Sequence, residues 1–182
     1  TLTSAMARGK EEWKVTTLRG AMLPPPFRRQ TLSIDQKMLV LCHSDVGGED
    51  SCDGKTSVDT LRVLDLSDMG AKIVWEEMRL QGKPPSMIEG YGMAVWESKQ
   101  TILLAGGRNA EGAPTNDIWM LTLGGAMTGA STGSWRVLAE WPACIFSGTG
   151  FSERCNHSLT WRDGTSQFWI FGGRGADGTL LN

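Results

Sequence analysis

Thr101-Ile-Leu-Leu-Ala-Gly-Gly-Arg108 and Gln167-Phe-Trp-Ile-Phe-Gly-Gly-Arg174 are two copies of one pattern, an apolar run closed by a glycine pair and an arginine. Gly106 and Gly172 take the same place in each copy. Upstream, Met38-Leu39-Val40-Leu41-Cys42-His43 keeps the apolar run and loses the glycines. A long-period repeat of this kind means one supersecondary unit used several times, each copy covering the face of the next.

Two more anchors keep the same register. Asn116-Asp117-Ile-Trp-Met-Leu-Thr-Leu123 is echoed by Asp59-Thr-Leu-Arg-Val-Leu-Asp-Leu66. A tryptophan opens a short apolar segment at Trp13, Trp75 and Trp135, at nearly equal intervals along the chain. The middle unit predicts four strands, near Gly92–Trp96, Thr101–Ala105, Asp117–Leu123 and Ser134–Ala139. Glu97–Gln100, Arg108–Thr115 and Gly124–Gly133 supply the turns between them. The third strand is apolar on both faces, with Ile118 and Met120 on one and Trp119, Leu121 and Leu123 on the other. Period-2 geometry then requires cover on both sides of the sheet.

Composition agrees with short strands joined by turns: 23 of 182 residues are glycine and eight are tryptophan. Apolar runs stop at about five residues, too short for a membrane helix. A net charge of −2 argues against bulk binding to nucleic acid or anionic lipid. The stretch from Thr1 to Gln30 is net basic and the remainder net acidic, a mild asymmetry that falls short of a nucleic-acid stripe. Cys42, Cys52, Cys144 and Cys155 have no metal-binding spacing, and His43 and His157 cannot complete one. Reduced thiols in an intracellular, cytoplasmic protein are the expectation, with Cys42–Cys52 or Cys144–Cys155 disulfides as the alternative.

These anchors resemble kelch repeats: an apolar strand ending in Gly106-Gly107 or Gly172-Gly173, then Asn116-Asp117-Ile-Trp119, then Trp135 opening the last strand. Arg154-Cys-Asn-His157-Ser158 resembles the segment that opens a kelch unit. The resemblance implies an all-β fold, a segment of a β-propeller with four-stranded antiparallel blades. Residues 1–26 then read as the lone last strand of a preceding blade and a Pro-rich connection, 27–86 as a first repeat, 87–150 as a second and 151–182 as half of a third. The excess over the kelch period of about 50 falls in loops at Ser44–Ser57 and Gly124–Gly133. About 2.8 units are present, whereas propellers use 4–8 blades. The chain therefore reads as part of a larger ring, completed by further blades from the same or another polypeptide.

No catalytic constellation emerges. His157 reads as a structural, hydrogen-bonded residue, and adjacent strand residues such as Cys42 and His43 point to opposite faces. The acidic loop Asp45–Gly54 lacks the alternation of a calcium loop. Asn156-His-Ser158 matches a glycosylation acceptor only formally. No metal and no cofactor is expected. Arg108 and Arg174 follow the glycine pairs, and Arg28, Arg29 and Arg154 precede first strands. In peptide-binding kelch propellers such positions line the ligand face, so these arginines with Asn109 form the candidate binding rim. Guanidinium forks there suit carboxylates on a protein partner. The expected function is non-catalytic protein recognition or assembly. The alternative is the kelch part of a larger enzyme, such as a fused methyltransferase or an oxidase, whose catalytic residues lie outside this chain. A copper oxidase site would need more than Tyr91 and two separated histidines.

Overall fold

The computed structural model describes residues 2–5, 13–16, 30–34, 36–45, 56–67, 75–85, 89–96, 100–124, 132–138, 151–162 and 167–182, with backbone alone before residue 31 and at 42–45 and 56–60. Within them the chain is all-β, with no helix. A hairpin of β1 (Leu2–Ala5) and β2 (Trp13–Thr16) comes first. The strand at Trp13, expected to stand alone, thus has a partner. Ala5 faces Trp13 as Leu64 faces Trp75 and Leu121 faces Trp135, so Leu2–Ala5 takes the place of a third strand, which its short sequence without the apolar run did not reveal.

Two four-stranded antiparallel meanders follow. The first is β3 (Gln30–Ile34), β4 (Lys37–Asp45), β5 (Thr56–Asp65) and β6 (Trp75–Gln81). The second is β7 (Gly92–Trp96), β8 (Thr101–Ala105), β9 (Ile118–Leu123) and β10 (Thr132–Val137). A final hairpin, β11 (Ser158–Arg162) and β12 (Gln167–Phe171), repeats the first half of that plan. The repeat is visible in the ladders. Trp75 faces Leu64 across β5 and β6, and Trp135 faces the corresponding Leu121 across β9 and β10.

The middle meander buries both faces, as its third strand requires. Ile102, Leu104, Trp119, Leu121 and Trp135 share one cluster with Leu39, Leu41, Leu61 and Val63 of the first meander. Leu103, Ala105 and Ile118, on the opposite face, share another with Leu159 and Phe168 of the last hairpin. The stacking runs head to tail, since Leu39 and Leu41 occupy the register of Leu103 and Ala105. Each fully buried leucine contributes roughly 1.5–3 kcal/mol relative to exposure, so these faces hold the stack together. Trp119 is buried within the first cluster, and Trp75 is half-buried at the start of β6.

Two further features depart from the sequence expectation. The fourth strands β6 and β10 pair in parallel over Arg79–Gln81 and Thr132–Ser134, joining the two meanders into one eight-stranded sheet. With β3 also approaching β7, this sheet is nearly closed around the first cluster. Gly133 permits the pairing, because a Cβ there would lie 2.8 Å from Leu80 Cδ2 and 3.0 Å from Leu121 Cδ1. The second departure is in β4 and β5, which run on as a ladder to Asp45 and Thr56, so Ser44 and Ser57 are strand rather than loop. A register shift falls between Cys42 and His43, where the other units carry the glycine pair. Gly106 and Gly107 turn the chain through positive φ (60° and 97°). Without such glycines the first unit stays extended and absorbs the mismatch as a bulge.

Candidate functional site

First strands begin and second strands end at one rim of the stack, and the candidate arginines lie along it. After β8, a turn is closed by Asn109 N–H to the Ala113 carbonyl at 3.0 Å and by Ala113 N–H to Asn109 Oδ1 at 2.9 Å. Arg108 donates from Nη1 to the Gly112 carbonyl at 2.6 Å. The turn after β12 is built alike. Gly175 N–H donates to the Thr179 carbonyl at 2.9 Å, and Arg174 Nε donates to the Gly178 carbonyl at 2.9 Å. Asp177 accepts from the Thr179 hydroxyl and amide, which hold its carboxyl below the usual range.

Arg154 ties the rim across two units. Its Nη1 donates to the Gly172 carbonyl at 3.1 Å, while Nε and Nη2 bind the carbonyl and hydroxyl of Ser152. Its guanidinium lies 5.3 Å from the Phe151 ring centroid, and partial burial lowers its pKa. Its fork is therefore committed to the protein. Arg108 and Arg174 each commit one nitrogen to their own turn among the described residues; Arg174 is exposed and Arg108 half-buried. Glu89 pairs with Arg108 through the backbone, and Glu153 neighbours Arg154, so the rim is mixed in charge. Arg28 and Arg29 lie outside the described residues.

The structural motif residues surround this rim. Asn116 and Asp117 are exposed, and the Asp117 carbonyl accepts from Gly106 N–H at 2.9 Å. His157 is 8% exposed and packs edge-on against Phe151. The hydrogen bond expected of it is not completed by either ring nitrogen among the described residues. Burial first, then the positive charge of Arg154, pushes its pKa down to about 4, against a smaller opposing pull from the Ala105 carbonyl. The ring fits because a Cβ on Gly92 would sit 2.7 Å from His157 Nε2, and one on Gly106 2.8 Å from Cε1. Sequence reasoning missed this cradle, which is assembled from separate strands. One signal was available: Gly90 and Asn156, one repeat apart, both take positive φ (65° and 56°) and place Tyr91 and His157 in matching positions.

Cys155 is a buried free thiol, so the Cys144–Cys155 disulfide is absent. Among the described residues no three His, Cys, Asp or Glu side chains converge as a metal site would require. No helix there is long and apolar enough to cross a membrane. The acidic loop, beyond Asp45 in β4, lies outside the described residues, as do the structural contexts of Cys52 and Cys144. The fold and rim define a class: an all-β, propeller-like segment of stacked sheets bearing a loop rim. No protein-family model and no curated protein matches the chain.

Proposed function

We propose that this chain is a kelch-type propeller segment whose role is non-catalytic protein recognition or assembly, with further blades from the same or another polypeptide as structural partners. The observation that carries the reading is the recurrence of one loop geometry in successive repeats, presenting Arg108 and Arg174 at the same rim. A rigid sheet stack with variable loops is the usual setting for binding. Guanidinium forks at this rim suit carboxylates of an acidic protein segment, and that task needs neither an imidazole nor a thiol. His157 supports this reading too, being walled in by glycines and Phe151 where no substrate could reach it.

The test is binding of an Asp/Glu-rich peptide to the immobilised chain at moderate salt. Arg108→Glu with Arg174→Glu should weaken binding at least tenfold, while Arg136→Glu on β10 should not. Unchanged affinity in the double variant, or robust small-molecule turnover by this region, would refute the reading.

A further inference from the structure

Three backbone hydrogen bonds among the described residues cross the joint between the second meander and the last hairpin. Gly107 N–H donates to the Arg154 carbonyl at 2.8 Å, Arg154 N–H to the Thr115 carbonyl at 3.1 Å and Asn156 N–H to the Gly90 carbonyl at 2.7 Å. One side chain closes the joint from within: the His157 ring, carried by the hairpin unit and set into the meander. A Cβ on Gly92 of β7 would lie 2.7 Å from its Nε2, and one on Gly106 after β8 would lie 2.8 Å from its Cε1. Behind the ring, a Cβ on Gly173 after β12 would lie 2.9 Å from the His157 Cβ. The two units close only as far as this ring permits.

That fit suits a neutral ring. Neutral imidazole carries one N–H, whereas imidazolium carries two and a full charge. Neither ring nitrogen completes a hydrogen bond among the described residues. Where even a methyl group would collide with Nε2, no water fits beside it to accept a bond. The titratable groups on the packed elements are Glu89, Tyr91 and Arg108 on the meander side, and Glu153, Arg154, Cys155 and Arg174 on the hairpin side. No carboxylate among them draws a proton onto the ring, and the charge that acts on it is Arg154, which repels one. The Ala105 carbonyl favours the proton, but less than burial and Arg154 oppose it. A protonated ring therefore brings a charge and a second donor to a place that solvates neither.

We infer that His157 makes this joint an acid-operated catch: the neutral ring lets the two units close, and protonation parts them, separating Arg108 on the meander from Arg174 on the hairpin. The consequence for the arginines rests on the rim reading above, whereas the catch itself does not. Opening lets the imidazolium reach water, breaks the three backbone bonds and uncovers Ala94, Leu103, Ala105 and Ile118. No covalent bond changes, so a return to neutral pH closes the joint again. In the open joint the ring ionises at its ordinary 6.5, and in the closed joint only at about 4. The catch is therefore fully held well above pH 6.5 and loosens as pH falls from there toward 4.

Native-state hydrogen exchange of the full chain at about pH 7.5 and about pH 5, corrected for the intrinsic rate at each pH, tests the catch. The amides of Gly107 and Asn156 report the joint, because each is bonded across it. Their opening constants should rise roughly 10- to 30-fold at the lower pH, and by less than about threefold in His157→Gln. At both pH values these amides should open more readily than those of Ile102 and Leu104 inside the meander. An equal rise in parent and variant overturns the inference. So does one common opening constant for joint and meander, since acid would then act through global unfolding alone. The imidazole resonances of His157 in the parent give a readout that needs no variant to fold. At the lower pH they should remain largely those of a neutral ring, and titration near the ordinary 6.5 in the closed chain overturns the inference. Failure of the rim to bind acidic peptide leaves each of these outcomes unchanged and counts only against the rim.

Discussion

His157 shows how a residue with catalytic credentials is turned into packing. Its imidazole lies between two glycines and the Phe151 ring, and the nearest charge is the guanidinium of Arg154. All of this favours the neutral ring, with a pKa of about 4 against an ordinary 6.5. Well above pH 6.5 neither the folded nor the unfolded histidine binds a proton, and its contribution to stability is whole. As pH falls from 6.5 toward 4 the unfolded state takes up the proton first, and that stability is lost. Between pH 7.5 and pH 5 the loss should be about 1–2 kcal/mol. Urea unfolding of the parent and of His157→Gln at those two pH values checks it. The parent should lose more than the variant, and equal losses would show that another group titrates. The structural role was legible in the sequence from the segment Arg154–Ser158. Its glycine cradle was not, because Gly92 and Gly106 are brought to the ring only by the stacking of two units.

Elements were legible where one pattern governed them. All four strands of the middle meander stand within about two residues of their expected places, since alternation and turn chemistry agree there. Reading failed where a missing residue altered the path. Loss of the glycine pair at Cys42 and His43 reads in the sequence as a weak repeat, whereas its physical effect is a longer β4–β5 ladder with a bulge. The β6–β10 pairing left no trace in the periodicity, because edge contacts between units depend on how closely two strands can approach. Gly133 sets that approach. Gly133→Val should therefore push β10 from Leu80 and cost roughly 1–3 kcal/mol, the usual range for overpacking. The clashing atoms are ends of flexible side chains, so the lower half of that range is expected. Exchange of the β6 and β10 amides near Gln81 and Ser134 should rise in the variant while that of β8 does not. Uniform loosening of the whole sheet would mean that Gly133 matters to the core rather than to the edge.

At the scale of the whole molecule the stack is asymmetric, and its stability should be graded accordingly. β8 and β9 are covered on both faces and paired on both edges, with Ile102, Leu104 and Leu121 at 0% exposure. Among the described residues the β11–β12 hairpin has one covered face, an outer face bearing Trp169 and Phe171, and two strands. A two-stranded hairpin is marginal alone and depends on the surface it packs against. In stacked-repeat folds each unit draws its stability from its neighbours, so a unit with one neighbour opens before a unit with two. The stacked Trp96–Trp161 pair, 4.7 Å between centroids, and the edge of Phe168 are the contacts that delay this opening. Native-state hydrogen exchange should accordingly rank the amides of Leu159 and Trp161 well below those of Ile102 and Leu104 in opening free energy. Trp161→Ala should widen the gap, accelerating exchange in β11 and β12 while leaving the β4–β5 ladder unchanged. A single common opening energy across all these strands would mean that the hairpin is cooperative with the rest, and that the graded picture is wrong.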